Sequence, residues 1–169
     1  MKKRAVMIIA NNGFRDEEFQ IPKLIFEENG VEVTVASSKL SQAKGVLGAE
    51  VKPDMLISDI IVNDFDTIVF IGGGGSKEYW DNATAHKIIT TAHSVNKIIG
   101  AICIAPVTLA NAGVLSGRKA TVFNAEIQRM KSKGVNCTSN PVERDGNIIT
   151  ANGPNAASKF AASIVEAMK

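Results

Sequence analysis

Three short, mostly apolar runs of strand length, each leading through a glycine or a turn into a helical pattern, constrain this chain more than any other feature. Residues 4–10, 64–71 and 97–102 are dominated by Val, Ile, Ala, Met and Phe. A strand open to solvent on one face alternates polar and apolar side chains, whereas a near-continuous run suits a central strand covered on both faces. Residues 31–36 read as a further strand. Residues 17–29 carry Phe19, Leu24, Ile25 and Phe26 at helical spacing, with Gly30 as the stop. Residues 84–96, 104–112, 126–133 and 154–168 predict further helices, the last capped near Asn152. Residues 11–16 read as loop, and residues 45–51 as a short hairpin laid on the outside. A second hairpin joins 142–144 to 147–150 through Asp145-Gly146, which predicts a type I′ turn. Strand and helix in alternation give an α/β sandwich with a mainly parallel sheet.

Composition narrows the class. The 169 residues, 45% of them hydrophobic, suffice for one domain spanning 1–169 with a substantial core. Net charge is +2 and the basic residues are scattered, so nucleic acid is a poor partner. No apolar stretch approaches the roughly 18 residues of a membrane span. The run at 5–10 is too short for an export segment, which points to a cytoplasmic protein. The two cysteines, Cys103 and Cys137, have no metal-ligand spacing around them, so no metal site is expected from them.

Cys103 closes the strand at 97–102. Pro106 fits the following helix only in its first turn, so the cysteine falls at a bend between a buried strand and a helix N-terminus. Free backbone N–H groups and the helix dipole there favour thiolate over thiol, which predicts a lowered pKa. The competing reading is a small apolar core residue.

Ligands of such sheets bind beyond the carboxyl ends of the strands. This gathers three loops at one edge: residues 11–18, the run Gly72-Gly73-Gly74-Gly75, and the Cys103 turn. The glycines have neither Walker nor dinucleotide spacing, but they can bring backbone N–H groups up to a small oxyanion. A nucleophile also needs a proton carrier. His86 and His93 share one helix face and read as solvated, and Ile104 rather than histidine follows the cysteine. The carboxylates of the first loop remain. Asp16 and Glu17 are expected to complement the helix dipole, while an inward-pointing Glu18 would be pushed up by burial and could donate a hydrogen bond to sulfur. Cys137, on a strand, and Arg118 and Lys119, in a loop, read as structural or solvated. Tyr79 and Trp80 either wall the pocket or pack at the surface.

The segments 13–22 (GFRDEEFQIP), 30–37 (GVEVTVAS), 101–106 (AICIAP), 112–121 (AGVLSGRKAT) and 145–154 (DGNIITANGP), in that order, resemble the superfamily known as ThiJ, PfpI and DJ-1. The resemblance implies a flavodoxin-like three-layer sandwich of the class I glutamine amidotransferase type, with a nucleophile elbow. It also implies homodimers or larger rings. Cys103 matches the family nucleophile and Glu18 the protonated glutamate that contacts it. Gly72 and Gly73 match glycines facing the site, and the Ile104 N–H would complete an oxyanion pocket. The implied activity is cofactor-free conversion of 2-oxoaldehydes such as methylglyoxal, of glyoxalase or deglycase type, through a Cys103 thiolate. The alternative is a redox-responsive protective protein sensing oxidation at Cys103. Ile104 removes the histidine of the protease-like branch, and Phe123 stands where the glyoxalase and deglycase branch often has one. Arg15 replaces an acidic residue of that branch and would favour an anionic or oxoacid-like ligand.

Overall fold

A computed structural model describes Met1–Lys169. In chain order the elements are β1 (Arg4–Ile8), β2 (Asn12–Phe14), α1 (Asp16–Glu28), β3 (Glu32–Ser37), β4 (Ala43–Gly45), β5 (Glu50–Val51), β6 (Met55–Leu56), β7 (Thr67–Phe70) and α2 (Ala83–Ser94). There follow β8 (Ile98–Ile102), α3 (Pro106–Asn111), β9 (Lys119–Ala120), α4 (Ile127–Ser132), β10 (Asn136–Cys137), β11 (Val142–Asp145), β12 (Ile148–Ala151) and α5 (Ala157–Ala167). The main sheet has seven strands in the order β11-β12-β8-β7-β1-β3-β6, parallel except at β11. No helix is long and apolar enough to cross a membrane.

The apolar runs sort by the two-residue period of a strand. Val6, Ile8, Ile68, Phe70, Ile99 and Ala101 face one layer, where they meet Ile89 of α2 and Leu109 of α3. Their neighbours Ala5, Met7, Val69 and Ile102 face the other, against Phe26 of α1 and Phe160 and Ile164 of α5. Phe26 and Phe160 are fully buried, and each such side chain contributes about 1.5–3 kcal/mol. Gly100, inside β8, is required by this packing: a Cβ there would lie 2.8 Å from Ile164 Cδ1 and 3.0 Å from Phe160 Cζ. The closeness of α5 to β8 thus follows from a missing side chain.

Four local expectations are corrected. Residues 11–16 are not all loop, because Asn12–Phe14 pairs in parallel with Ala43–Gly45, which with Glu50–Val51 makes a three-stranded outer sheet. The β11–β12 turn is centred on Gly146 and Asn147, and of these only Gly146 has positive φ (61°). That is the requirement of a type II′ rather than a type I′ turn. Helix α5 has no side-chain cap; the N–H of Asn152 instead donates to Pro141 O, and a short 3₁₀ turn at Pro154–Ala156 leads in. The helix after the cysteine is only six residues long, Pro106–Asn111.

Candidate active site

Strand β8 ends at Ile102, and Cys103 adopts φ 66°. Residues with a side chain rarely hold that left-handed conformation unless their surroundings over-determine it. Here both backbone groups are tied down: the Cys103 N–H donates to Ala151 O at 2.9 Å, and its carbonyl accepts from Phe123 N–H at 2.8 Å. Residues 103–105 then bend into α3, with Pro106 in its first turn. The result is a sharp elbow that sets Cys103, a residue 9% exposed, at the floor of an open cleft.

Glu18 reaches the same place from the first turn of α1. It is fully buried. Its Oε2 accepts from Gly72 N–H at 3.0 Å, and its Oε1 has no partner. Gly72 leaves no room for a larger residue, since a Cβ would sit 2.5 Å from both Cys103 Cβ and Glu18 Oε2. Gly73 has φ 97°, and a Cβ there would lie 2.4 Å from Arg15 N. The backbone N–H groups of Gly73 and Ile104 lie close enough to the Cys103 sulfur to pull its pKa down. The cleft, about 450 Å³, is lined by Arg15, Glu18, Gly73, Cys103 and Ile104, together with Lys77, Phe123 and Glu126 among others. The structure therefore brings together all six residues singled out from sequence, Gly72 lying just beneath the lining.

Several placements differ from expectation. Asp16 does more than complement a helix dipole: it is 5% exposed, and its carboxylate accepts from Leu47 N–H (2.9 Å) and Ala49 N–H (2.8 Å), fastening the β4–β5 turn to the start of α1. Glu17 pairs with Arg15 at 2.7 Å. His86 and His93 are half-buried, and the Nε2 of His86 lies 2.7 Å from Trp80 O. Phe123 is 43% exposed and lines the cleft with an apolar ring. Trp80 is the residue whose part sequence reasoning left open. Its indole N–H donates to Ile104 O at 3.1 Å, bracing the chain directly after the elbow. Tyr79 is core, its hydroxyl donating to Ile9 O at 2.8 Å. Cys137 is half-buried on β10, outside the cleft.

The electrostatics also correct the sequence reading. Burial pushes the Glu18 carboxyl up to about 7. Burial, reinforced by the Glu18 charge, pushes the Cys103 thiol up to about 12 as well, against the pull of the Gly73 and Ile104 amides. The expected lowering rested on a helix dipole, and a helix of six residues supplies too little of one to outweigh desolvation. Two acids in contact titrate as a pair. Between about 7 and about 12 this pair holds one proton and one negative charge.

A cysteine on a left-handed elbow between a parallel strand and a helix, faced by a buried carboxyl and two backbone donors, defines a nucleophile-elbow protein of the α/β class. The chain belongs to the DJ-1/PfpI family, whose model matches residues 3–167. An uncharacterised protein of Methanocaldococcus jannaschii is 38% identical over 98% of this chain and 82% of its own. The deglycase PfpI of Pyrococcus furiosus is 30% identical over 88% and 90%. The glutathione-independent glyoxalase DJR-1.2 of Caenorhabditis elegans is 25% identical over 99% and 90%. Among solved structures, a ThiJ/PfpI domain protein from Brachyspira murdochii superposes with a TM-score of 0.95 at 31% identity, covering 98% of this chain and 96% of that one.

Proposed function

We propose that the protein is a cysteine-dependent enzyme acting on small 2-oxoaldehydes such as methylglyoxal. The observation that carries this reading is geometric: Cys103 on a left-handed elbow and the buried Glu18 carboxyl meet at the floor of one cleft, which Gly73 and Ile104 also line. In the resting pair the proton is on sulfur and the charge on the carboxylate, so Glu18 takes the thiol proton as the sulfur attacks. The thiolate adds to the aldehyde carbon, and the new oxyanion takes the place of sulfur as acceptor for the Gly73 and Ile104 N–H groups. Glu18 gives its proton to that oxygen. As a carboxylate it then removes the hydrogen on C1 and returns it to C2 while the proton on the C1 oxygen passes to the C2 oxygen, producing a thioester of the 2-hydroxyacid. Water cleaves the thioester, releasing lactate and restoring the thiol. Deglycase and glyoxalase relatives support an enzyme of this kind.

The test is conversion of methylglyoxal to lactate by the wild type, Cys103→Ser and Glu18→Gln. Turnover by the wild type and its loss in both variants is expected; turnover that survives Cys103→Ser would overturn the mechanism.

A second reading has its own observation. The unpartnered Glu18 Oε1 is placed to bond an oxygen added to the sulfur, as in a redox sensor whose thiol becomes a sulfinate. Intact mass after mild peroxide decides it, because a gain of two oxygens confined to Cys103, in a protein that turns nothing over, favours the sensor. Self-association, which the family resemblance implies, belongs to the same proposal. Exposed Ile21 and Leu24 on α1 and Val46 and Leu47 beside the cleft offer an apolar surface for it, and light scattering in solution would measure the assembly.

A further inference from the structure

We infer that the cleft selects carbonyl substrates carrying a negative charge of their own, and that Lys77 and Arg15 are the residues that receive that charge. The inference rests on the reading of Cys103 as a nucleophile toward aldehydes. It narrows the substrate class.

The charged groups at the cleft divide by whether they already have partners. Glu126 pairs with Arg129 at 2.8 Å. Glu17 takes the Nε and Nη2 of Arg15, at 2.7 and 3.2 Å. Glu18 is sealed beneath the sulfur with no exposure. The acidic side is therefore committed or out of reach. On the cationic side Arg15 shares its charge with Glu17 but keeps donors free, and Lys77 has no ion pair. Lys77 is exposed, makes neither ion pair nor hydrogen bond, and holds its ammonium 5.4 Å from the centre of the Trp80 ring. Arg15 retains Nη1, whose two N–H groups have no partner. Both residues line the cleft together with the reactive sulfur. Apart from the oxyanion amides and the buried Glu18 Oε1, the free donors identified here, on Lys77 and on Arg15 Nη1, carry positive charge.

Size and charge agree with this. A three-carbon ketoaldehyde fills only a fraction of a cleft of about 450 Å³, so a longer molecule could reach the cations from the elbow. The Glu18–Cys103 pair carries one negative charge in its working state. An anion approaching it without compensation would be repelled, and two cations at the rim supply that compensation. A guanidinium already bound to one carboxylate can still present its outer edge to a second. Val46, Phe123, Ala125 and Pro154 make much of the remaining lining apolar and offer a carboxylate no donor side chain. A 2-oxoaldehyde bearing a distal carboxylate, such as 4,5-dioxopentanoate, has this form. Its reaction balances as before: the aldehyde hydrogen moves from C5 to C4, water cleaves the thioester, and the product is 2-hydroxyglutarate.

Two measurements test this on the intact protein. The first needs no turnover. Cys103 is alkylated with iodoacetate and with iodoacetamide, and the rate at that cysteine is followed by peptide mass. Both reagents attack the same thiolate, so their rate ratio cancels its ionisation and reports the field met by an anion. The ratio is expected to exceed that of a free model thiol and to drop about threefold or more in Lys77→Gln and in Arg15→Gln, the order expected for one charge a few ångströms away in a wet cleft. Lys77→Arg should restore it. An unchanged ratio in both glutamine variants overturns the inference. The second measurement compares kcat/KM for 4,5-dioxopentanoate with that for uncharged 2-oxopentanal. Preference for the anion, reduced in the same variants, supports the inference; equal or reversed preference refutes it. Should neither compound react, the proposed enzyme reading fails, and the alkylation ratio still decides the anion subsite.

Discussion

Replacing Glu18 with glutamine should make this protein more stable at neutral pH while removing its proposed proton carrier. An ordinary glutamic acid titrates at 4.5, and burial holds Glu18 at about 7. Between those values the folded chain keeps a proton that the unfolded chain has released, so stability falls as pH rises through the window. Below 4.5 the contribution is complete, and above about 7 it is lost. At about 1.4 kcal/mol per pH unit of separation, the loss is about 3 kcal/mol. Glutamine has the shape of the protonated acid, keeps an oxygen for the Gly72 N–H, and cannot ionise, so its profile should be flat across this window. Urea unfolding followed by the fluorescence of Trp80, the single tryptophan, measures both profiles. Glu17, Asp66 and Glu143 are held below their ordinary values. They lose stability on acidification, with the opposite sign and at lower pH, and they cancel in the difference between the two proteins. Cys103 titrates above the range of the assay. A wild-type profile that stays level from 4.5 to 7, or a slope that persists in Glu18→Gln, would refute the burial of an ionisable carboxyl under the sulfur.

Two further substitutions probe how the site is held. Gly72→Ala forces a methyl within 2.5 Å of Cys103 Cβ and Glu18 Oε2. It should lower stability by about 1–3 kcal/mol and slow alkylation of Cys103, whereas Gly74→Ala, whose Cβ would meet nothing within 4 Å, should leave the urea midpoint in place. Asp16→Ala strips the acceptor from the Leu47 and Ala49 amides. With two charge-assisted bonds gone, a loss of about 2–4 kcal/mol is expected, and limited proteolysis should cut first within residues 46–49.

What could be read from the chain divides by the range over which its physics acts. Strands β1, β7 and β8 were legible because burial on both faces leaves a short apolar run that neither a half-exposed strand nor an amphipathic helix produces. The elbow was legible because Pro106 tolerates so few positions in a helix. These are local constraints. The turn of Asp16 toward a hairpin thirty residues away, the brace from Trp80 to Ile104, and the parallel pairing of Asn12–Phe14 with Ala43–Gly45 depend on which segments meet, and nothing near them in sequence records the meeting.

The thiol is the instructive case, because its local signs pointed the wrong way. A cysteine ahead of a proline-led helix looks acidified, yet the helix is six residues long and the cysteine is only 9% exposed. Desolvation therefore outweighs the dipole. On the proposed mechanism such a sulfur is usable because a carboxylate of lower pKa stands beside it to take its proton during attack, so the thiol itself need not be acidic. Reactivity proposed for this elbow is thus a property of the pair, and Gly72, by having no side chain, allows the pair to form.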